Sequence, residues 1–253
     1  MDRIKARIKT LVLMWNRPAW AMLAAVFVYT IYGSLKGFGS TNFNYFAYLA
    51  DAFNHGQFHL RLMPPDLHDL VIYDGKVFLY WFPMPAIMMM PLVAIFGVFL
   101  SDVVLTIVLG GVNAYLLTVL LHQAKSKDIH RLEPLKQALL VIFFSFGTAY
   151  FTLAPYGKVW HLSQLVSIFF MLLAYLSTIS FQGWKAFLFT GLALTGAMLT
   201  RSHLILIGIW PAFTLIQNHW GLRWKKLALL LALASLPIFL GAFFILYYNQ
   251  ARF

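Results

Sequence analysis

Residues 38–82 read FGSTNFNYFAYLADAFNHGQFHLRLMPPDLHDLVIYDGKVFLYWF, a polar interlude in an otherwise apolar chain. It holds four of the eight acidic residues (Asp51, Asp66, Asp69 and Asp74) and three of the eight histidines (His55, His59 and His68). Within it Tyr45–Phe53 has the pattern of a short helix, with Gly56 as its stop. Met63-Pro64-Pro65-Asp66 reads as a turn. Val71–Tyr80 reads as a hairpin with Asp74-Gly75 at the tip.

Working outward, the whole chain of 253 residues is 61% hydrophobic and only 11% charged. Soluble domains carry about 25% charged residues, so the composition predicts an integral membrane protein. Cysteine is absent, which excludes disulfides, thiolate metal sites and a cysteine nucleophile. The net charge of +11 does not indicate nucleic acid, because the basic residues fall in clusters between apolar spans, as orientation signals do. The basic N-terminus leads into a span without an A-x-A-like cleavage site, so no cleaved signal peptide is expected.

Residues 1–17 carry Arg3, Lys5, Arg7, Lys9 and Arg17, with Ile4, Ile8, Leu11, Val12 and Trp15 recurring at helical spacing. This is the pattern of a basic amphipathic helix on an anionic, cytoplasmic leaflet. Residues 18–253 read as one transmembrane module. Pro18–Tyr32 is its first span, and it delivers the loop 37–102 to the outer side. Phe82–Leu100 is long enough to cross, but it contains Pro83, Pro85 and Pro91. If it spans, the loop 123–136 with Lys125, Lys127, Arg131 and Lys136 lands outside. Read as a proline-broken helix in the outer interface, it leaves that loop cytoplasmic, and this reading is preferred.

Six further spans follow: Val103–Leu121, Gln137–Leu153, Trp160–Ile179, Ala186–Leu199, Leu204–Ile216 and Leu227–Tyr248. The expected fold is therefore all-α and polytopic, with about seven transmembrane helices and a large first outer loop containing juxtamembrane helices. Thirteen Lys/Arg then lie inside, against six outside (Lys36, Arg61, Lys76, Lys158, Arg201 and Arg252), which satisfies the positive-inside rule. The chain ends at Phe253 just past the last span, as though a C-terminal portion were lacking.

Several side chains could carry chemistry. Asp51 lies at a water–lipid boundary, where a partly desolvated carboxylate can act as a base. Its alternative is a solvated carboxylate on a juxtamembrane helix. Asp66, His68 and Asp69, with His55 and His59, could approach a cation. The Gly56 break and the double proline favour a turn network over a protein-held metal, so no cofactor is expected. His161 stands at the start of the fourth span, facing either a cavity or a neighbouring helix. Arg201 is the sharpest signal, in the short outer turn Leu199-Thr200-Arg201-Ser202-His203. Arginine matches phosphate oxygens bidentately, and Ser202 and His203 add donors. The alternative is an arginine reaching for lipid headgroups.

Three patterns carry a resemblance. They are Tyr45-Phe46-Ala47-Tyr48-Leu49-Ala50-Asp51-Ala52-Phe53 with Gly56, then Tyr80-Trp81-Phe82-Pro83-Met84-Pro85 leading to Ile95-Phe96-Gly97, and Leu199-Thr200-Arg201. In this order the chain resembles the GT-C superfamily of polyprenyl-phosphate-dependent glycosyltransferases. It is most similar to the family of protein O-mannosyltransferases and the lipid A aminoarabinose transferase, over that family's seven-span N-terminal module. The resemblance implies a sugar donor on a polyprenyl phosphate, an acceptor of unknown kind on the outer face, and a prokaryotic plasma membrane with the N-terminus cytoplasmic. It implies that Arg201 binds the donor phosphate and that His161 holds a second polar site. The expected site then has Asp51 and His161 as catalytic residues, with Arg201, Ser202, His203, Tyr45, Asp66, His68 and Asp69 binding the substrates. The family's acidic residue at the start of the first-loop helix is replaced by Thr41-Asn42-Phe43-Asn44. Either Asp51 takes the base role, or the fold persists as a lipid- or partner-binding module without transfer.

Overall fold

The computed structural model of the chain describes residues 2–35 and 37–252, with side chains from residue 4 onward. Lys36 and the side chain of Arg3, both counted above as orientation signals, lie outside this description. The chain is 71% helical. Helix α1 (Asp2–Met14) turns by 99° into α2 (Pro18–Ser34). Pro18 occupies the first turn of α2, where its missing N–H costs nothing. Along α1, Ile4, Ile8 and Leu11 are exposed on one face, free of contacts that would bury them.

The loop after α2 contains α3 (Tyr45–Asn54) and a hairpin of β1 (Leu70–Tyr73) and β2 (Lys76–Leu79), paired from Leu70↔Leu79 to Tyr73↔Lys76. Asp74 and Gly75 both have positive φ (48° and 69°), the type I′ geometry that Asp-Gly favours. Helix α4 (Met84–Phe96) follows. The expected proline break does not occur. Pro83 caps α4 and Pro85 lies in its first turn, while Pro91 is accommodated inside a continuous helix. At 13 residues α4 is about 20 Å long, short of the ~30 Å hydrocarbon core. It packs against α3 in the principal apolar cluster, with Met89 and Val93 against Tyr45, Phe46 and Leu49.

Then come α5 (Asp102–Ser126), α6 (Pro134–Phe146), α7 (Tyr150–Leu153), α8 (Val159–Ser180) and α9 (Gly183–Thr200). A 3-10 segment (Ser202–Gly208), α10 (Ile209–Asn218) and α11 (Trp224–Gln250) complete the order. Among the described residues α5, α8 and α11 are long and apolar enough to cross a membrane, and α1 with α2 makes a fourth if the bent pair counts as one span. Two expected spans are not single helices. Gln137–Leu153 is interrupted at Gly147, where α6 stops and Thr148 Oγ1 accepts from Tyr150 N (3.1 Å) to start α7. Leu204–Ile216 divides into the 3-10 segment and α10 at Gly208, while the extended Arg201 (φ −155°, ψ 120°) separates both from α9.

Small residues set the helix contacts. A Cβ on Gly191 of α9 would lie 2.2 Å from Ala234 O of α11, and one on Gly111 of α5 would lie 2.4 Å from Val26 of α2. Such close backbone approach is how membrane helices gain packing energy without a hydrophobic drive.

The first loop ties helix ends together at one end of the bundle, here the loop end. Val159 N at the start of α8 donates to Phe43 O (3.0 Å) and Arg252 Nη1 after α11 donates to Leu79 O (2.6 Å), while Tyr32 of α2 reaches Tyr156 beside them directly (3.1 Å). The other end bears the lysine loops. His122 of α5 hydrogen-bonds Asn16 at the α1–α2 bend (3.2 Å).

Candidate functional site

The residues nominated from the sequence fall into three groups. The first surrounds Arg201. Because α9 ends at Thr200, the Arg201 side chain leaves the helix axis at the loop end. Its Nε donates to Ser163 Oγ of α8 (3.3 Å), and its guanidinium lies over the Trp81 ring, 5.2 Å from the centroid. Trp81 is fixed from behind: its Nε1 donates to Asp69 Oδ2 (3.3 Å), while Tyr80 OH donates to Asp69 Oδ1 (3.2 Å). Asp69 is buried, so a carboxylate is held one indole away from the arginine. Among the described residues no carboxylate pairs with Arg201 directly, both ion pairs being made by Asp51. Burial lowers the guanidinium's pKa, opposed by Tyr80. A half-buried cation without a counter-ion favours binding an anion.

Tyr45, Asp66 and His68 adjoin this group. Asp66 Oδ1 accepts from His68 N (2.8 Å), closing the turn after Pro65, and takes a long contact of 3.5 Å from Tyr45 OH. Burial, then the charges of Asp66 and Asp69, push the Tyr45 phenol up to about 12. The His68 ring stands edge-on to Trp160, 6.1 Å between centroids.

The second group is centred on Asp102, which the sequence reading did not nominate. Its carboxylate is buried and accepts from Thr41 N (2.9 Å), Thr41 Oγ1 (2.5 Å) and Lys158 N (2.7 Å). It thus binds the start of Thr41-Asn42-Phe43-Asn44, the segment that leads into α3. Asn44 serves packing instead, its Nδ2 donating to Leu100 O (2.7 Å) and Ser40 Oγ (2.9 Å). Lys158 adopts φ +68° with ψ 154°, a region almost reserved for glycine that costs about 1–3 kcal/mol for a residue with a Cβ. The Asp102 bond holds it there, and Lys158 Nζ lies 5.5 Å from the Phe43 ring centroid. His161 belongs here: its ring lies 5.9 Å from Tyr156 and its Nδ1 is buried without a hydrogen-bond partner. His161 and Ser163 are about 200° apart around α8, so His161 faces away from Arg201.

The third group holds Asp51. It ion-pairs with Arg61 Nε (3.0 Å), and His55 Nδ1 lies 3.6 Å from its other oxygen. Six residues beyond Tyr45, it stands about 9 Å further along α3, outside the chain of contacts that reaches Arg201. Ser202 and His203 are exposed at the start of the 3-10 segment, and among the described residues neither makes a side-chain hydrogen bond. The loop histidines disperse, His55 to Asp51 and His59 to the Phe78 ring (6.2 Å). Among the described residues no three His, Asp or Glu side chains gather as a metal set.

Sequence reasoning missed Asp102, Ser163 and the anchoring of Trp81. Only Asp102 had a local signal: Ser101-Asp102 opens a long apolar run, and Ser101 Oγ does cap α5 by accepting from Val104 N (3.1 Å), leaving the Asp102 oxygens for other donors. No family model, curated protein or solved structure matches this chain.

Proposed function

We propose that this chain is a membrane glycosyltransferase of the GT-C type. It transfers a glycosyl group from a polyprenyl-phosphate donor to an acceptor at the outer face of a prokaryotic plasma membrane. The chain crosses seven times, with the N-terminus cytoplasmic and the loop end outside. The α6–α7 pair and the 3-10 segment with α10 count as crossings. The latter is about 29 Å long by helical rises, close to the hydrocarbon thickness.

The observation that carries the reading is Arg201, a half-buried guanidinium with no carboxylate partner among the described residues, at the end of the bundle where the acidic loop is packed. It binds the donor phosphate and stabilises the charge that develops there as the sugar leaves. The acceptor hydroxyl attacks the anomeric carbon, the bond to phosphate oxygen breaks with its electron pair on the phosphate, and a carboxylate takes the hydroxyl proton. Both oxygens of Asp51 are in ion pairs, with Arg61 and His55, so the base role goes to half-exposed Asp66, whose Oδ1 holds the His68 amide while its Oδ2 accepts from no group among the described residues.

A second reading is favoured by one observation: Asp51, Asp69 and Asp102 are all committed to protein donors. In it the same fold binds a lipid phosphate without turnover. Purified protein in lipid discs, given a radiolabelled polyprenyl-phosphate sugar, separates the two. Arg201→Ala is expected to lose binding by about tenfold or more, the worth of a charge-assisted contact, whereas Asp66→Asn keeps binding and loses sugar release. Equal binding by the wild type and Arg201→Ala overturns both readings. Tight binding without release in the wild type selects the second.

A further inference from the structure

At the lysine end of the bundle, opposite Arg201, a cavity of about 730 Å³ lies between α10, the end of α8 and the residues just after α5. Its mouth is polar, with Lys127, Gln182, Gln217 and Asn218 around it. A second cavity of about 490 Å³ adjoins it, the two sharing Ile129, Ile179 and Trp210. The remaining wall of that second arm, Leu120, Leu121, Ala124 and Tyr175, contributes no charge. Both volumes lie in the ligand-pocket range of roughly 300–1,000 Å³.

The arrangement has a direction. Lys127 and Gln182 stand at the ends of α5 and α8, whereas Leu120, Tyr175 and Trp210 lie one to two turns further into the bundle. The cavity is therefore polar at the surface and apolar with depth, like a single lipid molecule in a leaflet. On α10, Trp210, Phe213, Thr214 and Gln217 share one face at helical spacing and present this gradient. The surrounding end of the bundle is strongly basic. Eight lysines and arginines lie in 125–136, at 185 and in 223–226, against two acids, Asp128 and Glu133.

We infer that this cavity is a binding site for an anionic phospholipid. The headgroup phosphate meets Lys127 and the amides of Gln182 and Gln217, and an acyl chain lies in the arm between α5, α8 and Trp210. The depth gradient and the charge at the mouth select a lipid over a soluble anion or a peptide. The site rests on the chain lying in a membrane, and it stands or falls independently of sugar transfer at the other end.

Quenching of Trp210 emission by acyl-brominated lipids tests it. The protein is placed in phosphatidylcholine discs containing an equal small fraction of brominated phosphatidylglycerol or brominated phosphatidylcholine. The Trp210 signal is the difference between the wild type and Trp210→Phe. The expected result is quenching by the anionic lipid at about fivefold lower mole fraction, the worth of one lysine at an anionic headgroup. Lys127→Gln is expected to abolish the preference. Ala124→Leu, which fills the apolar arm, is expected to abolish quenching with Trp210 emission retained. Equal quenching by both lipids, or a preference indifferent to Lys127, overturns the site.

Discussion

Arg201 draws its character from what does not surround it. The acids nearest in the first loop are bound to other groups, Asp69 to Tyr80 and Trp81 and Asp66 to the His68 amide, so the guanidinium rests on an indole and one serine hydroxyl. Tyr45 reports on the same acids. Its phenol is raised from 10.0 to about 12, first by burial and then by Asp66 and Asp69. A phenol is neutral when protonated, so the folded loop holds this proton more tightly than the unfolded chain does. The associated stability is complete below pH 10 and is lost as pH rises through about 12. The tyrosinate absorbance that disappears in Tyr45→Phe is therefore expected to titrate near 12 in the folded protein. A titration of that difference signal near 10 would separate Tyr45 from the carboxylates.

At the scale of elements, Asp102 is the joint. From the first turn of α5 it holds the loop by Thr41 and the start of α8 by Lys158, three segments on one buried carboxylate. Asp102→Ala leaves these donors unpaired, and each buried unpaired group costs about 1–3 kcal/mol. It also releases Lys158 from its positive-φ conformation. The expected outcome is a lower thermal midpoint with early proteolysis between α2 and α3, while Asp51→Ala, at a partly exposed ion pair, shifts the midpoint little. Equal midpoints for Asp102→Ala and the wild type would remove the joint.

The same contrast marks what could be read from the chain. Asp74-Gly75 between alternating apolar residues, and Tyr45–Phe53 before Gly56, are local patterns, and the hairpin and α3 formed where they were expected. Asp102 finds its partners 61 and 56 residues away, which no spacing rule reaches. Leu204–Ile216 was misread as one helix because a 3-10 run and an α-helix can share one apolar composition. The break at Gly147 was legible in Gly147-Thr148, a stop followed by a capping hydroxyl, but the surrounding apolar run masked it.

For the whole molecule the first loop acts as a clasp. It joins the ends of α5, α8 and α11 through Thr41, Phe43 and Leu79, and brings Trp81 to the end of α9. Thirteen of the nineteen lysines and arginines belong to the segments that the seven-span order places across the bilayer from it. The native chain has no cysteine, so single cysteines report position without background. His68, Ser126, Asp128 and Ser202 are all exposed and suit this purpose. In intact cells, His68→Cys and Ser202→Cys are expected to react with a membrane-impermeant maleimide, while Ser126→Cys and Asp128→Cys react only after permeabilisation. Protection of Ser202→Cys in cells where His68→Cys reacts would place the arginine and the acidic loop on opposite sides of the bilayer, and contradict the account.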